Sequence, residues 1–407
     1  MATIKPFTAI RPKPEVAVKL CELPYDVVST EEARQIAQGR EHSFYRISRP
    51  EINFPKGIDP YSEVVYAKAR DLYCQWLEQG WMEQDQEPCF YLYRQVMGDH
   101  IQTGLVAAAS CREYQENVIK KHELTRVEKE NDRIRHIEAL NAQTGPAFLT
   151  YRSNRVLNDF FAKKTEEAPV VDFTAPDGIR HESWVISNPE DIKLIENEFA
   201  AMNNLYIADG HHRSAAAARI YTKRQGQGGS DCFLAVIFPH DQMQILPYNR
   251  LVKDLNGLKK EDFLEKIRKV CAVSNGPFQI PTASQEVGMY LDGVWYGLKF
   301  AQENESVTAQ ADRLDVQILQ KQILDPILGI EDPRTSNRIA FVGGIRGTEE
   351  LEKRVLSGEF ACAFSMYPTQ IEDVMEIADH NEIMPPKSTW FEPKLRDGMF
   401  IYQYEKV

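Results

Sequence analysis

The stretch Asn204-Leu205-Tyr206-Ile207-Ala208-Asp209-Gly210-His211-His212-Arg213-Ser214-Ala215-Ala216-Ala217-Ala218 decides how this chain is read. Leu205, Tyr206 and Ile207 form a short apolar run suited to a buried strand, and Asp209-Gly210 breaks it. Arg213 to Arg224 is alanine-rich with high helix propensity. The expectation is a strand, a tight turn and a helix. The turn brings together backbone N–H groups without helical partners, two imidazoles and a guanidinium, all beside one carboxylate. Helix N-termini carry partial positive charge, and arginine meets phosphate oxygens with paired hydrogen bonds, so the segment reads as a phosphate site. Gly210 lets the backbone turn sharply and approach a ligand. Asp209 would repel a phosphate, so it is expected to hold a magnesium ion or the cationic or hydroxyl part of a substrate. The bland alternative is polar residues that only cap a helix. A metal held by His211 and His212 together is disfavoured, because adjacent helical residues diverge.

Upstream, Leu23-Pro24-Tyr25-Asp26-Val27-Val28 is a loop leading into a helix whose start is marked by Ser29, Thr30 and Glu32, and Tyr61 to Glu78 has helical spacing. Cys89 to Val96 and Ile101 to Cys111 read as a hairpin turning at Gly98-Asp99. Glu128 to Ala142 is an amphipathic helix, with Ile134, Ile137 and Leu140 at helical intervals. Downstream, Phe233 to Phe238 with Met243 to Leu246 is expected as a second hairpin, and Met289 to Leu298 as a third turning at Asp292-Gly293. Leu258 to Val270 and Leu314 to Leu328 read as helices, and Arg338 to Val342 and Phe360 to Phe364 as strands. Thr369 with Glu372 gives a capping box for a helix running to about His380. Strands and helices mixed without strict alternation indicate an α+β fold.

Composition narrows the function. With 407 residues and 43% hydrophobic content the chain can bury a large core without staples. No run approaches the roughly 18 apolar residues of a membrane helix, and the N-terminus lacks a signal-peptide core, so a cytoplasmic protein without membrane contact is expected. The seven cysteines are scattered with no C-x-x-C pair, which reads as reduced and mostly buried thiols. A net charge of −12 opposes binding along a nucleic-acid backbone and favours a small anion held at one site.

Other polar segments are weaker signals. His122-Glu123-Leu124-Thr125-Arg126 is not the zinc pattern H-E-x-x-H, because Arg126 replaces the second histidine. It still offers a carboxylate for proton transfer. Lys387, Ser388, Thr389 and Lys394 carry donors suited to phosphate, and Asn249 with Arg250 follows an expected strand. Lys120 and Lys121 read as solvated charge.

Pro24-Tyr25-Asp26-Val27, Ala208 to Arg213 and the late Met384-Pro385-Pro386-Lys387-Ser388-Thr389 occur in an order that resembles domain-of-unknown-function family 1015 over nearly the whole length. That family in turn resembles the free-serine kinases of the ParB and sulfiredoxin-like superfamily. His122-Glu123, Ala208 to Arg213, Val374-Met375-Glu376 and Pro386-Lys387-Ser388-Thr389 are the counterparts. This chain is longer than those kinases and begins the turn with alanine rather than valine. The resemblance implies a ParB/sulfiredoxin-like core at 116–255, an N-terminal extension at 1–115, an accessory insertion at 256–335 and a C-terminal region at 336–407. It implies phosphoryl transfer to free L-serine, giving O-phosphoserine, with magnesium and with ATP, ADP or pyrophosphate as donor. Glu123 would be the general base and Asp209 would hold substrate or metal. Gly210, His211, His212 and Arg213 would cradle the transferring phosphate, and Lys387, Ser388 and Thr389 would bind phosphate opposite. His122, Asn249 and Arg250 are additional candidates. No Walker or protein-kinase glycine loop occurs, so the donor is not fixed. The main alternative is a ParB-like nucleotide-binding switch without kinase activity; a sulfiredoxin-like repair enzyme would need cysteine where this chain has His211.

Overall fold

The computed structural model describes residues 1–276, 278–301 and 309–405. Residues 277, 302–308 and 406–407, within the expected accessory and C-terminal regions, lie outside them. The fold is α+β, with several sheets and packed helices. It divides into two compact units, Met1–Met243 with Pro393–Val407, and Gln244–Glu392.

The first unit is built on a nine-stranded sheet. Its strands are β1 (Ile4–Lys5), β2 (Phe90–Met97), β3 (His100–Ser110), β4 (Ile119–Lys120), β5 (Ala147–Tyr151), β6 (Val171–Thr174), β7 (Arg180–Ile186), β8 (Leu205–Asp209) and β9 (Cys232–Pro239). The order is β4-β8-β5-β9-β3-β2-β7-β6, with β1 added on β3. β2 and β3 form the expected hairpin, with Met97 opposite His100 across the Gly98-Asp99 turn. Apolar residues on one face, among them Leu92, Leu105, Leu149, Trp184, Ile207 and Ile237, make the main core.

Helices α1 (Thr30–Ile36), α2 (Glu63–Glu78), α3 (Val127–Leu140) and α4 (His211–Arg224) belong to the same unit. α1 begins with a complete capping box between Ser29 and Glu32. The alanine run of α4 is a packing device as well as a helix former. Ala217 joins the sheet core, while Ala216 and Ile220 pack with Ile137 of α3 and with Tyr404. Small side chains let the helix lie close on two sides. Among the seven cysteines Cys74 is exposed and the others are buried, all as free thiols.

The second unit holds a six-stranded antiparallel sheet in the order Ala272–Asn275, Val294–Lys299, Glu286–Leu291, Cys362–Met366, Tyr248–Val252, Ile339–Gly343. The hairpin turning at Asp292-Gly293 is present. Three expectations need correction. β9 makes no hairpin with Gln244–Leu246: it is buried along its whole length and pairs with β3 and β5, whereas Gln244–Leu246 pairs with Trp390–Glu392. The capping box of helix Ile371–Asp379 is made by Gln370 and Asp373, while the Thr369 hydroxyl donates to the Ser388 carbonyl at 2.9 Å. The segment from Leu314 is helical only over Asp315–Leu319 before a π-helical turn, Gln320–Leu324.

Ile207 is fully buried in β8. Ile207→Ala should cost about 2–5 kcal/mol, read as a lower urea midpoint at unchanged slope. An unchanged midpoint would contradict its place in the core.

Candidate active site

Parallel pairing sets Ile119 of β4 opposite Leu205 of β8, and Lys120 opposite Tyr206. Both strands therefore end at the same edge, and His122-Glu123 leaves the sheet beside Asp209-Gly210-His211. Carboxyl ends of strands are where such sheets leave room for ligands. The register of β8 on β5 shifts between Ile207 and Asp209, and such a bulge re-aims the side chain that follows it. Gly210 then turns with φ +89, and an added Cβ would lie 3.1 Å from the Ala147 Cα. Both the backbone angle and the space call for glycine.

Asp209 is held from two directions. Its Oδ1 accepts from the Gly210 N–H at 2.7 Å, and its Oδ2 from the Lys394 ammonium at 2.8 Å. Burial works against the carboxylate, but Lys394 and Arg213 outweigh it and keep the group well below the usual carboxylate range. A magnesium ion on Asp209 does not fit these donors. It would sit against an ammonium already bonded to the same carboxylate, where like charges repel.

The His122 and His211 rings meet edge to face, with centroids 4.5 Å apart. Both are buried, and burial first of all lowers their pKa: His122 falls to about 4, and His211 falls well below the ordinary value, helped by His122. His122 Nδ1 and His211 Nε2 are buried and have no hydrogen-bond partner. Glu123 is exposed, and His122, Glu123 and His211 each offer a ligand atom, all within 4.8 Å of one another. His212 is half-buried, and its Nε2 accepts from the Arg126 N–H at 3.1 Å.

Arg213 is nearly enclosed. It donates to the Pro146 carbonyl at 2.6 Å and to Asp26 at 3.1 Å, while its Nε is buried without a partner. Burial opposes its charge, yet Asp26, Asp397 and Asp209 together raise the guanidinium above its ordinary value. Asp26 thus ties the early Pro24-Tyr25-Asp26-Val27 segment to the Asp209-to-Arg213 turn. The Tyr25 ring lies under the Arg133 guanidinium at 3.8 Å.

The other sequence candidates belong to the second unit. The Asn249 side-chain carbonyl accepts from the Met366 N–H at 3.0 Å. Arg250 is buried and donates to the carbonyls of Tyr248 and Lys387; burial pulls its guanidinium down to about 9. The Lys387 ammonium lies over the Tyr248 ring at 5.4 Å, and the Ser388 hydroxyl donates to the Pro385 carbonyl at 2.7 Å. Thr389 is half-buried.

Sequence reasoning assigned no role to Tyr25, Asp26 or Asp397. The first two lay inside a motif already noticed; Asp397 gave no local signal. Its Oδ2 accepts from the Tyr25 N–H at 3.2 Å and its Oδ1 has no partner. Burial lifts this carboxyl to about 7 despite Arg213. A folded-state pKa above the unfolded value of 3.8 means that the folded protein binds the extra proton. The contribution is fully present below the unfolded value and is lost as pH rises through about 7. Asp397→Asn should therefore gain melting temperature relative to the parent as pH rises from ~5 to ~8. A gap that stays constant or narrows would contradict the buried, proton-bearing state.

A comparison with curated proteins finds no match. Among solved structures, a free serine kinase in complex with AMP is 15% identical, covers 75% of this chain and 90% of its own, and superposes with a TM-score of 0.37. A conserved hypothetical protein from Pyrococcus furiosus is 14% identical over 72% of this chain and 93% of its own, with a TM-score of 0.36. SbnI with a C-terminal truncation, from Staphylococcus aureus, is 10% identical over 72% of this chain and 85% of its own, with a TM-score of 0.40. The model of the family described as "Protein of unknown function (DUF1015)" matches residues 4–317, most of the chain, and this protein belongs to that family.

Proposed function

We propose that this protein is a small-molecule kinase that transfers a phosphoryl group to the hydroxyl of free L-serine, on a ParB/sulfiredoxin-like core. The observation that carries the reading is the meeting of His122-Glu123 with the Asp209-Gly210-His211-His212-Arg213 turn at one sheet edge, the two segments in which the sequence resembles free-serine kinases. In this reading the serine Oγ attacks the terminal phosphorus of the donor. The new O–P bond forms as the P–O bond to the leaving phosphate breaks, and Glu123 takes the hydroxyl proton.

The phosphate would lie at the start of α4, where the first backbone N–H groups point outward and Gly210 adds no side chain. His211 and His212 line that start. Arg213 contributes its charge and its Nε, because its terminal nitrogens are engaged by Pro146 and Asp26. Asp209, already paired with Lys394, is suited to accept from the hydroxyl part of a serine rather than to hold a second cation. Lys387, Ser388 and Thr389 keep phosphate binding as their proposed role.

The test is formation of phosphoserine by purified protein with magnesium and free L-serine, with ATP, ADP or pyrophosphate supplied singly. Product with one of them is expected and identifies the donor; none with any donor overturns the kinase reading, and nucleotide binding without product would favour a switch. Glu123→Gln should lower turnover with donor affinity unchanged, and unaltered turnover would remove Glu123 as base. Arg213→Ala should weaken donor binding by about 2 kcal/mol, measured by calorimetry below its melting transition, because a charged hydrogen-bond donor is lost. Undiminished affinity would remove Arg213 from the phosphate site.

A further inference from the structure

Two imidazoles and a carboxylate converge at this edge, and the proposed phosphoryl transfer, which uses Glu123 as base and the start of α4 as phosphate site, leaves two buried ring nitrogens unexplained. His122 Nδ1 is buried and has no hydrogen-bond partner. His211 Nε2 is likewise buried and unpartnered. A buried polar nitrogen without a partner costs free energy, and two of them in rings that touch edge to face call for a shared ligand. Glu123 supplies the anionic third donor, and this is the one such trio among the described residues.

We propose that His122, Glu123 and His211 bind a divalent first-row transition ion, with zinc or cobalt as the fitting class. Two imidazole nitrogens and one carboxylate oxygen suit these borderline ions, whereas magnesium and calcium prefer oxygen shells. Three protein ligands leave a fourth position open to water or a substrate oxygen. The ligand atoms spread over as much as 4.8 Å. That is wider than the roughly 3.4 Å between ligands of a tetrahedral zinc, so binding must draw the trio together. Glu123 is exposed and long, and is the member whose chain can swing to do so. Its carboxylate then has two uses, as ligand when the ion is present and as base when it is absent.

The binding measurement needs neither serine nor a phosphoryl donor, so it stands or falls apart from the kinase reading. The metal-stripped full chain is titrated with Zn2+ by calorimetry and with Co2+ by visible absorption. One ion per chain is expected, with the intense visible bands of four-coordinate cobalt and no competition from excess Mg2+. Glu123→Gln and His211→Ala should each weaken Zn2+ binding by more than the roughly 10–100-fold that loss of an outer-shell partner costs. Glu123→Gln changes an exposed side chain and should fold normally, so the test does not depend on the buried histidine variant. Absence of binding, or wild-type affinity in Glu123→Gln, would overturn the site. If phosphoserine forms without any metal binding, the metal site alone is lost; if metal binds and no phosphoserine forms, the kinase reading alone is lost.

Discussion

The candidate site depends on the parallel pairing of the two-residue strand β4 with the start of β8. Parallel neighbours run out of the sheet at the same end, so residues far apart in sequence are delivered to one edge. His122 and His211 touch for that reason alone. An antiparallel pairing would have sent the two segments to opposite edges. The Ala208 register shift and Gly210 then convert the end of β8 into a turn tight enough that α4 starts immediately, with His211 as its first residue.

Around that turn the charges are arranged so that none is buried alone. Asp209 has Lys394 and the Gly210 N–H; Arg213 has Asp26 and the Pro146 carbonyl. Breaking either pair would leave a charge in a poorly solvated place, which costs far more than a surface pair contributes. The arginine of the motif is therefore in large part a brace. Its two terminal nitrogens are spent on its own chain, so attraction for an anion comes from its charge, its Nε and the open N–H groups of the helix start. Asp397 is the exception to this pairing. With one oxygen unpartnered and Gly145 leaving no room for a Cβ beside it, it resolves the cost of burial by holding its proton instead.

Local chemistry made part of this legible in the sequence. The strand, turn and helix from Leu205 to Arg224 appear because an apolar run, a glycine and an alanine series each favour one backbone state. The β2–β3 hairpin and the capping box of α1 follow from equally local rules. What failed was pairing across distance. β9 has the alternation-free burial of a central strand, and nothing in its neighbourhood says that its partners are β3 and β5 rather than the next apolar run. A two-residue strand such as Ile119–Lys120 has no periodicity to detect. The H-E step nevertheless drew notice through its chemistry, and the fold explains its position. Asp26 and Asp397 stayed hidden because a carboxylate in a loop looks the same whether it is solvated or lies beside a buried arginine.

Chain connectivity accounts for Lys394. The chain leaves the first unit at Met243 and rejoins it at Pro393, so Lys394 is the second residue of the returning segment. A lysine ammonium at the end of a flexible chain holds a carboxylate well only if its backbone is fixed. Here the Lys394 carbonyl accepts from the Gln95 side chain at 2.8 Å, and Gln95 in turn accepts from Gln102 across the β2–β3 hairpin at 3.0 Å. Farther along the same segment, Ile401 exchanges backbone hydrogen bonds with Ile10, and Tyr402 pairs with Gln143. The cation that neutralises Asp209 is thus supplied by a short segment fastened at the lysine itself to the β2–β3 hairpin and, a few residues on, to Ile10 and Gln143. Ordering that returning segment around Lys394 is a condition for Asp209 to keep its charge in the turn, which joins it to the chemistry of the first unit.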